Sequence, residues 1–246
     1  MKNRRFEWLL KTPIAHRGLH SGKKCPENTL CAFNQAIDRG FPIELDVHVI
    51  ADNHIVVFHD DYLEHLTEKD GKIEEKTLSE IKDLQILDSD EKIPLLSEVL
   101  SLVDGKVPLL IEIKNTENKR GIEPVIKNIL NRYRGNYAIQ SYNPITLAWF
   151  RKNAPEIIRG QISSDFRQSD MNPAGKLILR LLLMSWYSQP DFIAYDIRCI
   201  PVWAVTFLRK WKPVLLWTAR VDAEIAKAKS CADNYIFEIP ANVTVK

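Results

Sequence analysis

The 246-residue sequence has no surplus of charge of either sign: 34 Lys and Arg stand against 32 Asp and Glu, a net +2. So weak a field cannot hold a nucleic-acid backbone, whose binding draws on many phosphate contacts; a small-molecule partner is expected, and no nucleic acid. Glycine is sparse, at nine residues. No Gly/Ser or Pro-rich linker, low-complexity tract or internal repeat breaks the chain, which argues against a disordered or repetitive protein. The four cysteines, Cys25, Cys31, Cys199 and Cys231, have no metal-type spacing, and nothing points to an oxidising compartment. All four are read as reduced thiols. Long hydrophobic runs are missing too. The most apolar stretch, Leu177 to Trp186, is about half the length that crosses a bilayer, and the N-terminal residues lack the roughly seven apolar residues of a secretory signal. No transmembrane span and a cytoplasmic location are therefore expected.

What is present is an ordinary globular composition, 45% hydrophobic and 27% charged, and an alternation of short apolar runs with segments of helical period. Eight runs qualify as buried parallel strands. They end in or span Ala15-His16-Arg17-Gly18, 43–47, 110–114, 138–142, 159–162, 192–196, 214–218 and 234–238. Eight strands in about 250 residues predict an α/β fold, a single (β/α)8 TIM barrel, as one domain over 1–246. A ninth run, 55–59, follows Val49-Ile50 after too few residues for a parallel crossover. It must return as a hairpin on Asp52-Asn53 and bring His59 back over the C-terminal rim. The polar residues that follow, about 60–95, exceed what one βα loop needs and are read as an inserted cap after the second strand. Helix starts are expected at Pro26 to Thr29, Ser97-Glu98 and Asn143-Pro144.

Polar residues within otherwise apolar strands point to the chemistry, because a buried carboxylate without a partner is costly. Glu44 and Asp46 lie two apart on one strand and so share a face, and Glu112 holds a similar place on the next barrel strand. Three carboxylates with room for substrate oxygens suit one divalent cation, Mg²⁺ or Ca²⁺, better than zinc. The plainer reading is that Glu44 or Glu112 only pairs with Arg17 or Lys114, which does not account for all three acids. Beside them stand His16 and His59. Cleaving a phosphodiester requires one group to take a proton and another to give one, and histidine titrates near neutral pH. Arg17 and Lys114 would hold the phosphoryl charge. The other histidines, His20, His48, His54 and His65, are assigned no role and read as solvent-exposed, with His48 on the hairpin's opposite face. Asp60 either orients His59 or caps a turn.

These residues resemble the glycerophosphodiester phosphodiesterase family. The resemblance rests on an ordered series: His16-Arg17-Gly18, Pro26 to Thr29, Glu44 to Val47, His59 to Leu63, Ile111 to Lys114, Gln140-Ser141-Tyr142 and Leu216-Trp217-Thr218, spanning about residues 12 to 240. It implies a barrel with a small insertion after the second strand and metal-dependent hydrolysis of glycerophosphodiesters to glycerol 3-phosphate and an alcohol. By the same resemblance His16 and His59 are the catalytic pair, and Glu44, Asp46 and Glu112 are the metal ligands. Tyr142 and Trp217 are candidates for the glycerol end of the substrate, though barrel-top packing fits them equally. Two positions depart from the family's pattern. Glu238 stands where many members have Thr-Asp, and His65 stands where Arg is usual, which is expected to weaken an ion pair in the insertion.

Two alternatives stay open at this level. One is a related barrel phosphodiesterase acting on lysophospholipids or sphingomyelin, in peripheral contact with a membrane through Leu177 to Trp186. The other is a non-catalytic module that binds a phosphodiester. The division of labour between the two histidines, the head-group alcohol and the oligomeric state are not legible.

Overall fold

The computed structural model describes residues 7–114, 121–167 and 169–239. Nine strands alternate with ten α-helices among these residues, and the fold is the expected (β/α)8 barrel with one additional antiparallel strand. Two compact units make it up, one of residues 15–137 and one of residues 7–14 with 138–238.

In the first unit, β1 (Ile14–Ala15) leads into α2 (Leu30–Asp38) and then β2 (Ile43–Val49); a short α1 (Glu7–Lys11) precedes β1. Thr29 caps α2, its hydroxyl accepting from the Ala32 amide at 3.3 Å, as the Pro-Glu-Asn-Thr motif predicts. Every residue of β2 is buried, so Ile43, Leu45, Val47 and Val49 fill one face and Glu44, Asp46 and His48 occupy the other. The chain then turns at Asn53, in the left-handed region at φ 65°, and returns as antiparallel β3 (Ile55–Val57), with Val49 opposite Ile55 and Val47 opposite Val57.

The insertion that follows is folded. A bridge between Tyr62 and Lys72, a 3-10 turn at Ile73–Glu75 and α3 (Leu78–Ile81) close over Leu63, Ile73, Ile81 and Ile86, which share one apolar cluster with Ile50, Val56 and Phe58 of the hairpin. Next comes α4 (Leu96–Val103). Its first turn is closed not by Ser97 but by Glu98, whose carboxylate accepts from the Leu95 amide at 2.7 Å. β4 (Leu109–Ile113) then pairs in parallel with β2, setting Asp46 opposite Glu112, and α5 (Glu123–Leu130) follows.

The second unit runs β5 (Tyr137–Ser141), α6 (Pro144–Asn153), β6 (Ile158–Ser163), α7 (Pro173–Arg180), α8 (Ser185–Ser188), β7 (Phe192–Asp196), α9 (Trp203–Leu208), β8 (Val214–Ala219), α10 (Asp222–Cys231) and β9 (Asn234–Phe237). Asn143 caps α6 through the Ile145 amide at 2.9 Å, as expected for Asn-Pro. β5 to β9 pair in sequence order.

One expectation is overturned. Cys25 and Cys31 form a disulfide with Cα atoms 5.5 Å apart; only Cys199 and Cys231 are free thiols. The spacing of Cys25 and Cys31 carries no metal signature and the sequence gives no other sign of pairing, but Cys25 ends a 3-10 turn and Cys31 lies in the first turn of α2. The intervening loop folds back and brings their β-carbons together. The cytoplasmic location thereby loses the support it drew from reduced cysteines.

Candidate active site

The candidate residues of the first unit gather where β2 and β4 end. Glu44, Asp46 and Glu112 are buried and offer carboxylate oxygens within 4.8 Å of one another. Two cations reach in: Lys114 Nζ lies 3.2 Å from Glu112 and 3.5 Å from Asp46, and Arg17 Nε lies 3.4 Å from Asp46. His16 directly follows β1 and is buried; the next amide, of Arg17, donates to Glu44 at 3.1 Å. The hairpin returns as expected, with the Phe58 amide donating to the Asp46 carbonyl at 3.0 Å. His59 therefore comes back beside the carboxylates.

Two loop residues hold this geometry through unusual backbone. Arg17 and Asn28 both sit in the left-handed region, at φ 54° and 57°. The Asn28 amide donates to the Arg17 carbonyl at 3.1 Å. This fold aims the Asn28 side chain at Asp46, donating to the carboxylate at 3.0 Å and accepting from the Asp46 amide at 3.3 Å. Glu27 takes the Arg17 guanidinium at 2.5 Å. Gly18 completes the loop at φ 81°, where a β-carbon would lie 2.8 Å from backbone atoms of Ala32. The close approach to α2 is why glycine follows His16-Arg17.

The charges do not cancel: with Glu27 on the Arg17 guanidinium, four carboxylates face two cations. Burial, then the neighbouring Asp46 and Glu112, push the Glu44 carboxyl well above its ordinary range. Glu112 is raised as well, by burial, against the pull of Lys114. Burial works the same way on Asp46, but Lys114, His59, Arg17 and the Asn28 bond outweigh it and hold its carboxyl below the usual range. An all-oxygen, buried donor set whose carboxylates outnumber the cations beside it fits a hard divalent cation.

His48 and Asp60 complete the surroundings of His59. His48 is buried and lies on the same face as Glu44 and Asp46, not on the opposite face. The register of β2 carries the alternation two residues further than was read. Its Nε2 donates to the His59 carbonyl at 3.3 Å, and burial, with Lys114 next in weight, lowers its pKa to about 4, so the ring is neutral. Asp60 accepts from His59 Nδ1 at 2.5 Å and from His65 Nδ1 at 2.8 Å. Its pKa falls to about 2, chiefly through the His59 bond. His65, where Arg is usual, thus keeps a partner for Asp60 and does not lose one.

Tyr142 and Trp217 belong to the other unit, where their rings meet edge to face at 6.1 Å. Glu238, the second departure, pairs with Arg220 at 3.0 Å. Of the remaining histidines only His54 and His65 are exposed; His20 is half-buried. Glu27, Asn28 and His48 went unassigned in the sequence. The period-two spacing of Glu44, Asp46 and His48 was the available signal for the last.

Comparison with known proteins identifies the family. The glycerophosphoryl diester phosphodiesterase family model matches residues 16–230. A glycerophosphodiester phosphodiesterase of Caldanaerobacter subterraneus subsp. tengcongensis is 36% identical over 159 residues, 58% of this chain and 63% of its own length. One of Bacillus altitudinis is 34% identical over 171 residues, 64% and 69% respectively. The first-ranked curated relatives are thus spanned over only 62 to 63% of their length. Among solved structures, an Oleispira antarctica phosphodiesterase in complex with the product sn-glycerol-3-phosphate superposes with a TM-score of 0.78 at 25% identity, covering 94% of this chain and 93% of that one. A Thermotoga maritima glycerophosphodiester phosphodiesterase gives 0.70 at 26%, covering 92% and 94%. With the family pattern running from His16 through the whole carboxylate cluster and on to residue 230, the chain belongs to the glycerophosphoryl diester phosphodiesterase family.

Proposed function

We propose that this protein hydrolyses glycerophosphodiesters to glycerol 3-phosphate and an alcohol, with one divalent cation, Mg²⁺ or Ca²⁺, held by Glu44, Asp46 and Glu112. The observation that carries the reading is the buried three-carboxylate cluster, whose acids together with Glu27 outnumber Arg17 and Lys114, flanked by His16 and His59. When bound, such a cation supplies Lewis-acid neutralisation of the phosphoryl charge. Arg17 and Lys114, anchored by Glu27, Asp46 and Glu112, donate to the non-bridging oxygens of the substrate. One histidine takes the proton of the attacking hydroxyl, from water or from the substrate's own glycerol 2-hydroxyl, and the other returns a proton to the departing alcohol oxygen. Asp60 keeps His59 in the tautomer with the proton on Nδ1, so that Nε2 is the atom that exchanges it.

The test is turnover of glycerophosphocholine, glycerophosphoethanolamine and glycerophosphoglycerol with Mg²⁺, Ca²⁺ or EDTA, followed as glycerol phosphate release. Metal-dependent release is expected, reduced about 10²-fold or more in His16→Ala and in His59→Ala. Absence of metal-dependent product from all three substrates refutes the reading.

A further inference from the structure

The large apolar side chains that face solvent are concentrated in one part of the chain. Of thirteen exposed among the described residues, ten lie between 171 and 221. On α9 and the turn after it they form a stripe: Trp203 and Phe207, four residues apart on one side of the helix, then Trp211 just beyond its end, 67%, 51% and 65% exposed. The Phe207 and Trp211 rings stack edge to face at 4.7 Å, and Lys210 Nζ stands 5.9 Å from the Phe207 centroid. The opposite side of α9 is buried through Ala204 and Val205, so the stripe is surplus to what holds the helix. α7 goes further, with no buried residue at all, although Leu177 and Ile178 are on it; Trp186 of α8 is 74% exposed. Leu182, just after α7, Val202, just before α9, and Val205 of α9 enter the same buried cluster with Tyr195, and the Tyr195 hydroxyl donates to the Arg180 carbonyl at 3.0 Å. The end of α7 and the start of α9 therefore rest on one buried cluster.

Charge in these segments is one-sided. Residues 171–190 contain Lys176 and Arg180, and residues 197–221 contain Arg198, Arg209, Lys210, Lys212 and Arg220; neither segment has a single Asp or Glu, in a chain whose total charge nearly cancels. Arg198, Arg209, Lys212 and Arg220 are turned to partners within the fold, which leaves Lys176, Arg180 and Lys210 around the aromatic stripe. Indole and phenyl rings beside lysine and arginine complement an anionic lipid surface, where rings settle at the headgroup level and basic side chains meet phosphate. A second copy of the chain fits worse, because a two-fold contact would set the same uncompensated basic residues against themselves.

We propose that α7, α8 and α9 form a surface that docks the protein on an anionic bilayer through Trp186, Trp203, Phe207 and Trp211. This docking is independent of the hydrolytic reading. The full chain is sedimented with vesicles of phosphatidylcholine alone and with phosphatidylglycerol added, while tryptophan emission is recorded. The expected result is pelleting with the anionic vesicles only, weakened by salt, with a blue shift. The variant Trp203→Ala/Phe207→Ala/Trp211→Ala should lose both, and Lys176→Glu, Arg180→Glu and Lys210→Glu should each weaken binding about fivefold or more. Both sets should retain the wild-type turnover of soluble glycerophosphocholine without vesicles, so that docking and hydrolysis fail separately. Failure to pellet, pelleting undiminished in the triple variant, or a dimer in analytical ultracentrifugation that the triple variant abolishes overturns the proposal.

Discussion

Replacing His48 tests whether a buried, neutral histidine positions His59. The ring is 3% exposed, and its Nε2 donates to the carbonyl of His59 at 3.3 Å. His48→Leu keeps similar bulk but leaves that carbonyl without its donor, at about 1–3 kcal/mol, or roughly 2–12 °C in Tm for a chain of this size. The rate should suffer separately. The carbonyl is covalently part of the residue proposed to transfer the proton, and a shift of about 1 Å in a reacting group costs up to about 10² in turnover. His48→Gln restores an N–H donor near the same place and should recover most of the rate. The assay is kcat and KM for glycerophosphocholine at saturating metal, beside thermal denaturation of the same samples. A His48→Leu enzyme with the lowered Tm but kcat within about twofold of wild type would show that the bond only stabilises the fold, and equal losses in the Leu and Gln variants would refute the hydrogen-bond account.

Asp60 has its folded pKa near 2, below the value of about 3.9 of a free aspartate. Its contribution of about 2 kcal/mol is therefore present above about pH 4 and lost as pH falls through about 2. Acid denaturation should show Asp60→Asn less stable than wild type near neutrality, with the two curves converging at the acid end. For the carboxylate cluster, Glu44→Gln should match or exceed the wild-type Tm in EDTA, because burial and two like charges already oppose ionisation there. Excess Mg²⁺ or Ca²⁺ should raise the wild type by about 2–3 kcal/mol at a hundred times Kd and the variant far less; an equal rise in both would exclude Glu44 as a ligand. The Cys25–Cys31 bridge closes a short loop, for which chain entropy gives about 2 kcal/mol. Reductant should lower Tm by a few degrees and raise the mass by about two hydrogens in the segment 25–31, and a mass unaffected by reduction would disprove the bridge.

What the amino-acid order determined by itself is whatever depends on neighbours along the chain. Period-two alternation places Glu44 and Asp46 on one face whatever surrounds them. Four residues between Ile50 and Ile55 force a hairpin and so return His59, and Thr29 and Asn143 cap helices by local bonds. Contacts that close over long sequence distances were not legible, because pattern carries no register. That Glu112 stands opposite Asp46 follows from the pairing of β2 with β4, and that Asn28 reaches Asp46 follows from two left-handed residues, Arg17 and Asn28. The Cys25–Cys31 bridge required the same loop to fold back. His48 shows the limit from the other side: its face was readable from spacing, but its burial and its hold on the His59 carbonyl come from β3 lying antiparallel on β2, which only the tertiary structure decides.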